Sequence, residues 1–361
     1  MMKVLDEAHG KAWSLYHGDC VQAIAGIPDA SVDLCIHSPP FASLFVYSES
    51  IADMGNCEND QSFMEHYRYL IPELFRVTRP GRLCVVHAKD LVASLAHNGF
   101  MGLRDFPGEI IRAFVESGWT FHSRVTIWKD PVVEMQRTKN HGLLYKELVK
   151  DSCGSRQGTP DYLMVFRKVD RGGALVPVTA GAERFDRYVG MEPPDCDADI
   201  WTSDKSAPGG YRRPQGYRTI ARRDDRWPTF NPFEPGTEAY RAWSIAVWQR
   251  YASSVWMDID QTDTLNYRIA KADADSKHMC PLQLQVVERA VHLWTNPGDV
   301  VFSPFAGVSS ELYGAVRCGR RGLGVELKAE YFNVGCGFLG QLESDMAQPT
   351  LFDAVPELAT A

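Results

Sequence analysis

The chain has 361 residues, of which 45% are hydrophobic and 23% charged, and its formal net charge is −8. This length is enough for one large α/β domain with a smaller accessory domain. No apolar run is long enough to span a bilayer, and residues 1–10 lack the pattern of a secretory signal, so we expect a cytoplasmic protein with no membrane partner. Nine cysteines without any C-x-x-C spacing indicate neither a disulfide framework nor a zinc site.

The first half of the chain alternates predicted strands with predicted helices. Apolar runs predict strands at residues 13–16, 32–36, 83–87, 121–129 and 162–168. Helical spacing of apolar residues predicts helices at 61–77 and 106–116, the first of which stops at Arg79-Pro80-Gly81. Such alternation favours a mostly parallel sheet with helices on both faces.

The second half begins with a break in this pattern. Residues 170–277 are rich in Pro, Gly, Arg and aromatic residues, so we expect an inserted lobe there. Helices at 282–293, 309–317 and 328–339 and strands at 300–302 and 323–325 then continue the sheet. We therefore predict one domain in two halves, 11–169 and 278–343, an inserted region at 170–277, and a flexible tail at 344–361.

A strand, a turn of small residues and a helix start follow one another between Val300 and Ser310. Such a turn lets a ligand approach the backbone, and the first N–H groups of the helix can bind a polar or anionic group. The next strand ends at Glu326, about 20 residues beyond the turn, where a carboxylate can accept hydrogen bonds from ribose hydroxyls. The turn alone is also typical of an ordinary strand-to-helix connection, but the pairing with Glu326 favours a nucleotide-like ligand.

This region resembles the cofactor motif of amino-directed DNA methyltransferases. The matching segments are Phe305-Ala306-Gly307, Gly319-Arg320-Arg321, Gly324-Val325-Glu326 and Tyr331-Phe332. The resemblance implies a Rossmann-like methyltransferase fold and S-adenosylmethionine as the cofactor. The cofactor-binding residues that it implies are Asp19, His278, Pro281, Gln283, Phe305, Gly307, Ser309 and Glu326.

Each implied residue has its own role in the family. The backbone around Phe305 and Gly307 holds the methionine portion, with Ser309 near its carboxylate, while Glu326 holds the ribose and Asp19 contacts the adenine. His278, Pro281 and Gln283 align with the segment that closes over the methionine end. The chain departs from the family at Ser303, where an acidic residue is usual, and at Val308, where a second glycine is usual.

Ser38-Pro39-Pro40-Phe41 follows a predicted strand and matches the catalytic tetrapeptide of the same family. An exocyclic amine is a poor nucleophile because its lone pair is delocalised into the base. Hydrogen bonds accepted by the Ser38 hydroxyl and the Pro39 carbonyl would favour the pyramidal amine that can attack a methyl group. Prolines fix φ and leave that carbonyl free, and Phe41 would stack on a base rotated out of the duplex. Alone, the motif is also typical of an ordinary loop.

A basic stretch in the inserted region interleaves arginines with tyrosines and a tryptophan. Its arginines are Arg212, Arg213, Arg218, Arg222, Arg223 and Arg226. Arginine can bind phosphates or guanine edges, and aromatic side chains can stack on bases. We therefore predict double-stranded DNA as the partner, with a solvated loop as the alternative interpretation of this stretch.

The order of the motifs, with the catalytic motif first and the cofactor motif last, is that of the β group of the family. The resemblance covers about residues 13–168 and 278–339. Serine at the first catalytic position favours cytosine N4 over adenine N6 as the target, and the family also allows a homodimer and a cognate restriction nuclease as partners. The alternatives are an RNA or small-molecule methyltransferase and a non-catalytic DNA-binding relative.

Overall fold

A mixed nine-stranded sheet runs through the described structure. The computed structural model describes residues 4–40, 53–57, 60–93, 95–132, 134, 149, 158–169, 237–239, 251–265 and 281–347. The strands are β1 (Asp6–His9), β2 (Trp13–His17), β3 (Val32–His37), β4 (Thr78–Lys89), β5 (Leu91–Ala93), β6 (Gly102–Arg104), β7 (Thr120–Ile127), β8 (Asp161–Arg167), β9 (Val255–Trp256), β10 (Val300–Ser303) and β11 (Arg321–Glu326). The helices are α1 (Cys20–Ala23), α2 (Asp60–Val77), α3 (Leu95–Asn98), α4 (Phe106–Glu116), α5 (Leu284–Trp294), α6 (Ser310–Arg317) and α7 (Ala329–Ala347).

The strand order of the sheet is β1-β2-β11-β10-β3-β4-β8-β7-β9, and β5 pairs with β6 outside it. Strands β2, β11, β10, β3 and β4 run parallel to one another, and β8 lies antiparallel between β4 and β7. The carboxyl ends of the parallel strands and the amino end of β8 therefore meet at one edge, which we call the carboxyl edge. In open α/β sheets this edge is the usual place for ligands.

The central strand β3 is buried along its whole length. Leu34 and Ile36 pack with Val287 of α5 on one face of the sheet, whereas Cys35 packs with Tyr67 of α2 on the other. A parallel strand covered on both faces has a nearly continuous apolar sequence, which explains why the sequence pattern predicts β3 well.

Close packing of α6 on β11 fixes the loop between β10 and α6. A Cβ atom added to Gly324 would lie 2.8 Å from Leu312 Cδ1 and 3.1 Å from Ala306 Cβ. Both contacts are shorter than ordinary van der Waals separations, so a larger residue at this position would push the helix and the loop away from the sheet. Small residues at the predicted turn thus position the loop at the carboxyl edge.

The predicted α/β class with a mostly parallel sheet is confirmed. Two predicted boundaries are wrong. The helix α7 continues to Ala347, beyond the start of the predicted tail at 344, because Leu342 packs with Trp13 and keeps the helix on the sheet. Strand β9 lies inside the predicted insertion but pairs with β7, and Trp256 is buried in the core, so residues 251–265 belong to the sheet domain.

The rest of the predicted insertion at 170–277, apart from 237–239, lies outside the described residues. The same holds for Phe41, for His278 and for all six arginines of the basic stretch, whose assignments stay predictions. Within the described part of the chain, no helix has the length and apolarity that a bilayer crossing requires.

Candidate active site

Glu326, at the carboxyl end of β11, holds the loop of residues 304–309, which we call the cofactor loop. Its Oε2 accepts a hydrogen bond from Gly307 N at 2.7 Å, and its Oε1 accepts one from Lys328 N at 2.8 Å. A further backbone bond, from Ala306 N to Val325 O at 2.9 Å, ties the loop to the strand. Burial raises the pKa of Glu326 to about 7, although both backbone hydrogen bonds favour the ionised form.

Ser309 ends the cofactor loop in the left-handed conformation, with φ 72°. The position that favours glycine is therefore Ser309 and not Val308, to which the resemblance assigns the second glycine. Val308 is buried against Tyr331 and Leu284. A Cβ atom added to Gly335 of α7 would lie 2.4 Å from Ser309 Oγ, so this hydroxyl is packed against α7. The predicted contact of Ser309 with the cofactor carboxylate stays a prediction.

The other predicted cofactor residues flank the same loop. Asp19 follows β2 and caps α1, where its Oδ1 accepts a hydrogen bond from Val21 N at 2.9 Å. The neighbouring Gly18 N donates to the Glu326 carbonyl at 2.9 Å, so Asp19 and Glu326 sit at adjacent strand ends. Pro281 and Gln283 lie at the start of α5, and the buried Gln283 Oε1 has no hydrogen-bond partner among the described residues.

Beside the cofactor loop, three side chains from three adjacent strands form a hydrogen-bonded triad. Ser38 Oγ lies 2.8 Å from His87 Nδ1, and His87 Nε2 lies 3.1 Å from Asp161 Oδ2. Ser38 follows β3, His87 is on β4, and Asp161 begins β8. Lys129, just beyond β7, places its Nζ 2.6 Å from the same Asp161 oxygen. Ser38, predicted from the sequence as a catalytic residue, is thus linked through His87 to Asp161. Neither partner belongs to the predicted catalytic motif.

Charge on Asp161 fixes the direction of these hydrogen bonds. Burial alone would raise the pKa of Asp161, but the His87 hydrogen bond and the charges of Lys129 and Lys89 outweigh it and hold this pKa well below its ordinary value. An ionised carboxylate only accepts, so His87 presents an N–H at Nε2, and in the neutral form of the ring Nδ1 is an acceptor. Ser38 then donates its proton to His87, which leaves its oxygen as an acceptor toward a substrate.

The strand beneath the catalytic loop connects it to the cofactor loop. His37 Nε2 lies 2.7 Å from the Tyr67 hydroxyl, and the His37 ring centroid lies 5.8 Å from that of Phe305. Phe305, predicted to line the cofactor site, therefore packs against the strand that carries Ser38. Pro39 is buried and Pro40 half-buried at the end of this strand.

Cys35, His37 and Cys84 bring three potential metal-ligating atoms within 4.8 Å of one another in the described structure. The Cys35 thiol lies 3.4 Å from His37 Nδ1, and burial raises its pKa well above the ordinary value. A thiol kept protonated in this way packs and hydrogen-bonds but is a poor metal ligand. We interpret the group as core packing that supports the catalytic loop.

The chain is similar to several known methyltransferases and candidate methyltransferases. M.BamHI, a type II methyltransferase from Bacillus amyloliquefaciens, is 20% identical over 318 residues, which cover 87% of this chain and 54% of that protein. The chain thus spans about half the length of this curated relative. TTHA0409 of Thermus thermophilus, a candidate DNA modification methylase solved with S-adenosyl-L-methionine, has a TM-score of 0.52 at 21% identity, covering 91% of this chain and 93% of that chain.

A cytosine-N4-specific methyltransferase shares the fold as well. PvuII DNA methyltransferase has a TM-score of 0.54 at 15% identity, covering 93% of this chain and 89% of that chain. At these identities the structural likeness shows the fold alone. The N6/N4 methyltransferase family model, described as DNA methylase, matches residues 32–335. Because this match spans most of the sequence and includes both the Ser38 loop and Glu326, the chain belongs to the DNA methylase family.

Proposed function

We propose that the protein is a site-specific DNA methyltransferase that acts on an exocyclic amino nitrogen of a base, with cytosine N4 favoured over adenine N6. The observation that carries this proposal is the Ser38–His87–Asp161 triad, which lies at the carboxyl edge beside the loop held by Glu326. Membership of the DNA methylase family supports the reaction class. Serine at position 38 favours cytosine as the base.

S-adenosylmethionine is the methyl donor, and when bound it supplies an electrophilic methyl group on a sulfonium centre. The residues at the edge fit such a ligand. Glu326 presents a buried carboxylate for ribose hydroxyls, and the buried oxygens Gln283 Oε1 and Ser303 Oγ have no hydrogen-bond partner within the described ranges. A polar ligand would satisfy these atoms, because unpaired buried polar groups cost free energy.

Ser38 activates the amine of the target base. Its oxygen would accept a hydrogen bond from the amine and the Pro39 carbonyl a second, and both bonds favour the pyramidal nitrogen. Transfer of the methyl group to the nitrogen would break its bond to the sulfonium sulfur, which leaves as a neutral thioether, and the nitrogen, now cationic, must lose a proton. Ser38 Oγ takes this proton while its own passes to His87 Nδ1, and the ionised Asp161 stabilises the imidazolium that results.

The direction of the Ser38–His87 hydrogen bond selects a substrate group that donates a hydrogen bond to Ser38. A serine whose proton is engaged by His87 can accept from an amine but cannot donate to a carbonyl oxygen. Cytosine N4 and adenine N6 are exocyclic amines, whereas thymine has a carbonyl oxygen, O4, where cytosine has its amine. The preference for cytosine rests on serine at position 38. Four further points remain predictions from the resemblance: base extrusion onto Phe41, duplex binding by the inserted arginines, a homodimer, and a cognate restriction nuclease.

Single-turnover transfer of labelled methyl groups to duplex DNA tests this function. Ser38→Ala should lower the transfer rate with little change in DNA or cofactor affinity, because its hydrogen bond strengthens as the amine pyramidalises. Ser31→Ala, at the opposite end of β3, is a matched control that should keep the full rate. Full turnover in Ser38→Ala would show that the loop is structural.

Two further results would redirect the assignment. Cofactor binding without any transfer to DNA would favour an RNA or small-molecule methyltransferase, and absence of cofactor binding would favour a non-catalytic relative. Methylation-sensitive sequencing of DNA from a host that expresses the protein identifies the target base and its context together. Modified adenine in that experiment would overturn the choice of cytosine N4.

A further inference from the structure

The carboxyl end of β10 carries an uncharged side chain, next to the cofactor loop. Ser303 occupies this position, is fully buried, and its Oγ has no hydrogen-bond partner among the described residues. The methionine end of the cofactor carries an ammonium group, and the neutral Ser303 side chain offers this group no counter-charge.

Glu311 lies in the first turn of α6, immediately after the cofactor loop, and is 5% exposed. Four residues further along the same helix, Ala315 packs with Val301 in the core cluster that contains α5. Residues four apart share a helix face, and residues two apart share a strand face. Glu311 and Ser303 therefore face the same side of the sheet, where Gln283 caps the start of α5.

These three side chains offer acceptors of the right kind and number. An ammonium group has three N–H donors and no acceptor. Gln283 Oε1 and Ser303 Oγ are buried oxygens without a partner in the described part of the chain, and Glu311 adds a carboxylate. We propose that Glu311 binds the α-ammonium group of S-adenosylmethionine, together with Gln283 and Ser303, and so supplies a negative charge that Ser303 does not. The proposal rests on the proposed function.

The charges around Glu311 agree with a cationic ligand. Burial raises the pKa of Glu311 to about 8, its own backbone N–H lowers it, and the nearby Glu326 raises it further. Arg317, two turns along α6, is paired with Glu288 of α5 and is not directed to Glu311. A buried carboxylate without a cation is costly, and a ligand ammonium offsets that cost on binding.

Two ligands that differ only at the amino-acid end test this assignment. S-adenosylhomocysteine has the ammonium and carboxylate groups, whereas 5′-methylthioadenosine has neither. In titration calorimetry, Glu311→Gln should weaken binding of S-adenosylhomocysteine by roughly 10- to 100-fold, the range for losing a charged hydrogen bond, and leave 5′-methylthioadenosine within about threefold. Glu326→Gln is the control and should weaken both ligands, since both contain the ribose.

A second variant separates a lost contact from a damaged pocket. Adding Ser303→Asp to Glu311→Gln restores a carboxylate on the same side of the sheet, so the double variant should regain affinity for S-adenosylhomocysteine. Equal weakening of both ligands by Glu311→Gln, or tighter binding of S-adenosylhomocysteine, would overturn the proposal. If the parent protein binds neither ligand, the proposed function itself fails. If only the Glu311 assignment fails, the parent still binds both ligands, so the two failures can be distinguished.

Discussion

At the scale of single residues, Asp161 determines which atom of the triad can accept from the substrate. Asp161→Asn keeps the size of the side chain but can donate to His87 Nε2, which would move the ring proton to Nδ1. Ser38 would then direct its own proton toward the amine instead of accepting from it. We expect single-turnover methyl transfer to fall by about 100-fold or more, as for other triads with the wrong tautomer.

Cofactor affinity should change little in Asp161→Asn, because Glu326 and the cofactor loop do not contact Asp161. Asp29→Asn provides the control, since this carboxylate is 77% exposed and pairs with Arg76 at the other end of the sheet. A normal transfer rate in Asp161→Asn would show that the direction of these hydrogen bonds does not matter for catalysis.

Glu311 should also link stability to pH. Its pKa is raised by burial from the ordinary 4.5 to about 8, so the folded protein binds more protons than the unfolded chain between these pH values. Stability is then lost as pH rises through this window. Without ligand, Glu311→Gln should be more stable than the parent at pH 8, by at least about 1 kcal/mol, and nearly equal to it at pH 4.

Urea denaturation at several pH values measures this difference. Burial raises the pKa of both Glu326 and Glu288 to about 7, and both groups are present in the two proteins, so the difference between the proteins reports Glu311 and its interaction with Glu326. A difference that is the same at pH 4 and pH 8 would contradict the buried charge. Together with ligand binding, the result would show a residue that lowers stability in return for function.

The residues of the site could be predicted from the sequence only where they fall within one local motif. Ser38 and Glu326 belong to such motifs, and the structure places both at the carboxyl edge. His87 is 49 residues from Ser38, and Asp161 is 74 residues from His87. Their contact depends on the antiparallel pairing of β8 with β4, which no local pattern encodes.

At the scale of elements, an ion pair joins α5 to the segment that follows β9. Arg289 donates to both carboxylate oxygens of Asp258, at 2.8 Å and 2.7 Å, and its guanidinium lies 5.3 Å from the ring centroids of Tyr251 and Trp256. Both partners are buried, so removal of one leaves the other charge uncompensated. Asp258→Ala should lower the free energy of unfolding by about 3–5 kcal/mol.

Urea denaturation tests this expectation against an exposed pair. Glu116→Ala removes the partner of Arg68 on the surface, where both side chains are about half exposed. Such pairs contribute about 0–1 kcal/mol, so the control should unfold almost like the parent. Equal effects of the two substitutions would show that the buried pair does not anchor β9 and α5.

Elements with a buried face are those that the sequence predicts best. The predicted helix at 106–116 matches α4, which Asp105 caps by accepting from Gly108 N at 2.8 Å. Strand β4 begins at Thr78 instead of 83 and includes Arg79-Pro80-Gly81, where the preceding helix was predicted to stop. Gly81 takes φ 80° at the point where the pairing with β3 shifts register. The two-residue β9 is too short to have a pattern of its own.

At the scale of the whole molecule, the net charge of −8 opposes binding to DNA unless positive charge is concentrated in one region. The cofactor site adds buried carboxylates at Glu311 and Glu326, so it does not provide that charge. The basic stretch of the inserted region is the segment in which arginines and aromatic residues are interleaved. We therefore expect the inserted region to provide the phosphate contacts.

Replacement of Arg212, Arg213, Arg222 and Arg223 by alanine should weaken duplex binding and reduce its dependence on salt. Each lost phosphate contact reduces the slope of log K against log salt by about 0.9, so four contacts would reduce it by about 3 to 4. Fluorescence anisotropy with the mapped target duplex, at several salt concentrations, measures this slope.

Binding of S-adenosylhomocysteine should be unchanged, because Glu326 and the cofactor loop are held by their own backbone hydrogen bonds. The exposed Arg68 of α2 provides a control, and Arg68→Ala should keep the parent slope. If the quadruple variant keeps the parent slope as well, the four arginines of the parent protein are solvated and do not contact DNA. The phosphate contacts must then come from other cations along the carboxyl edge.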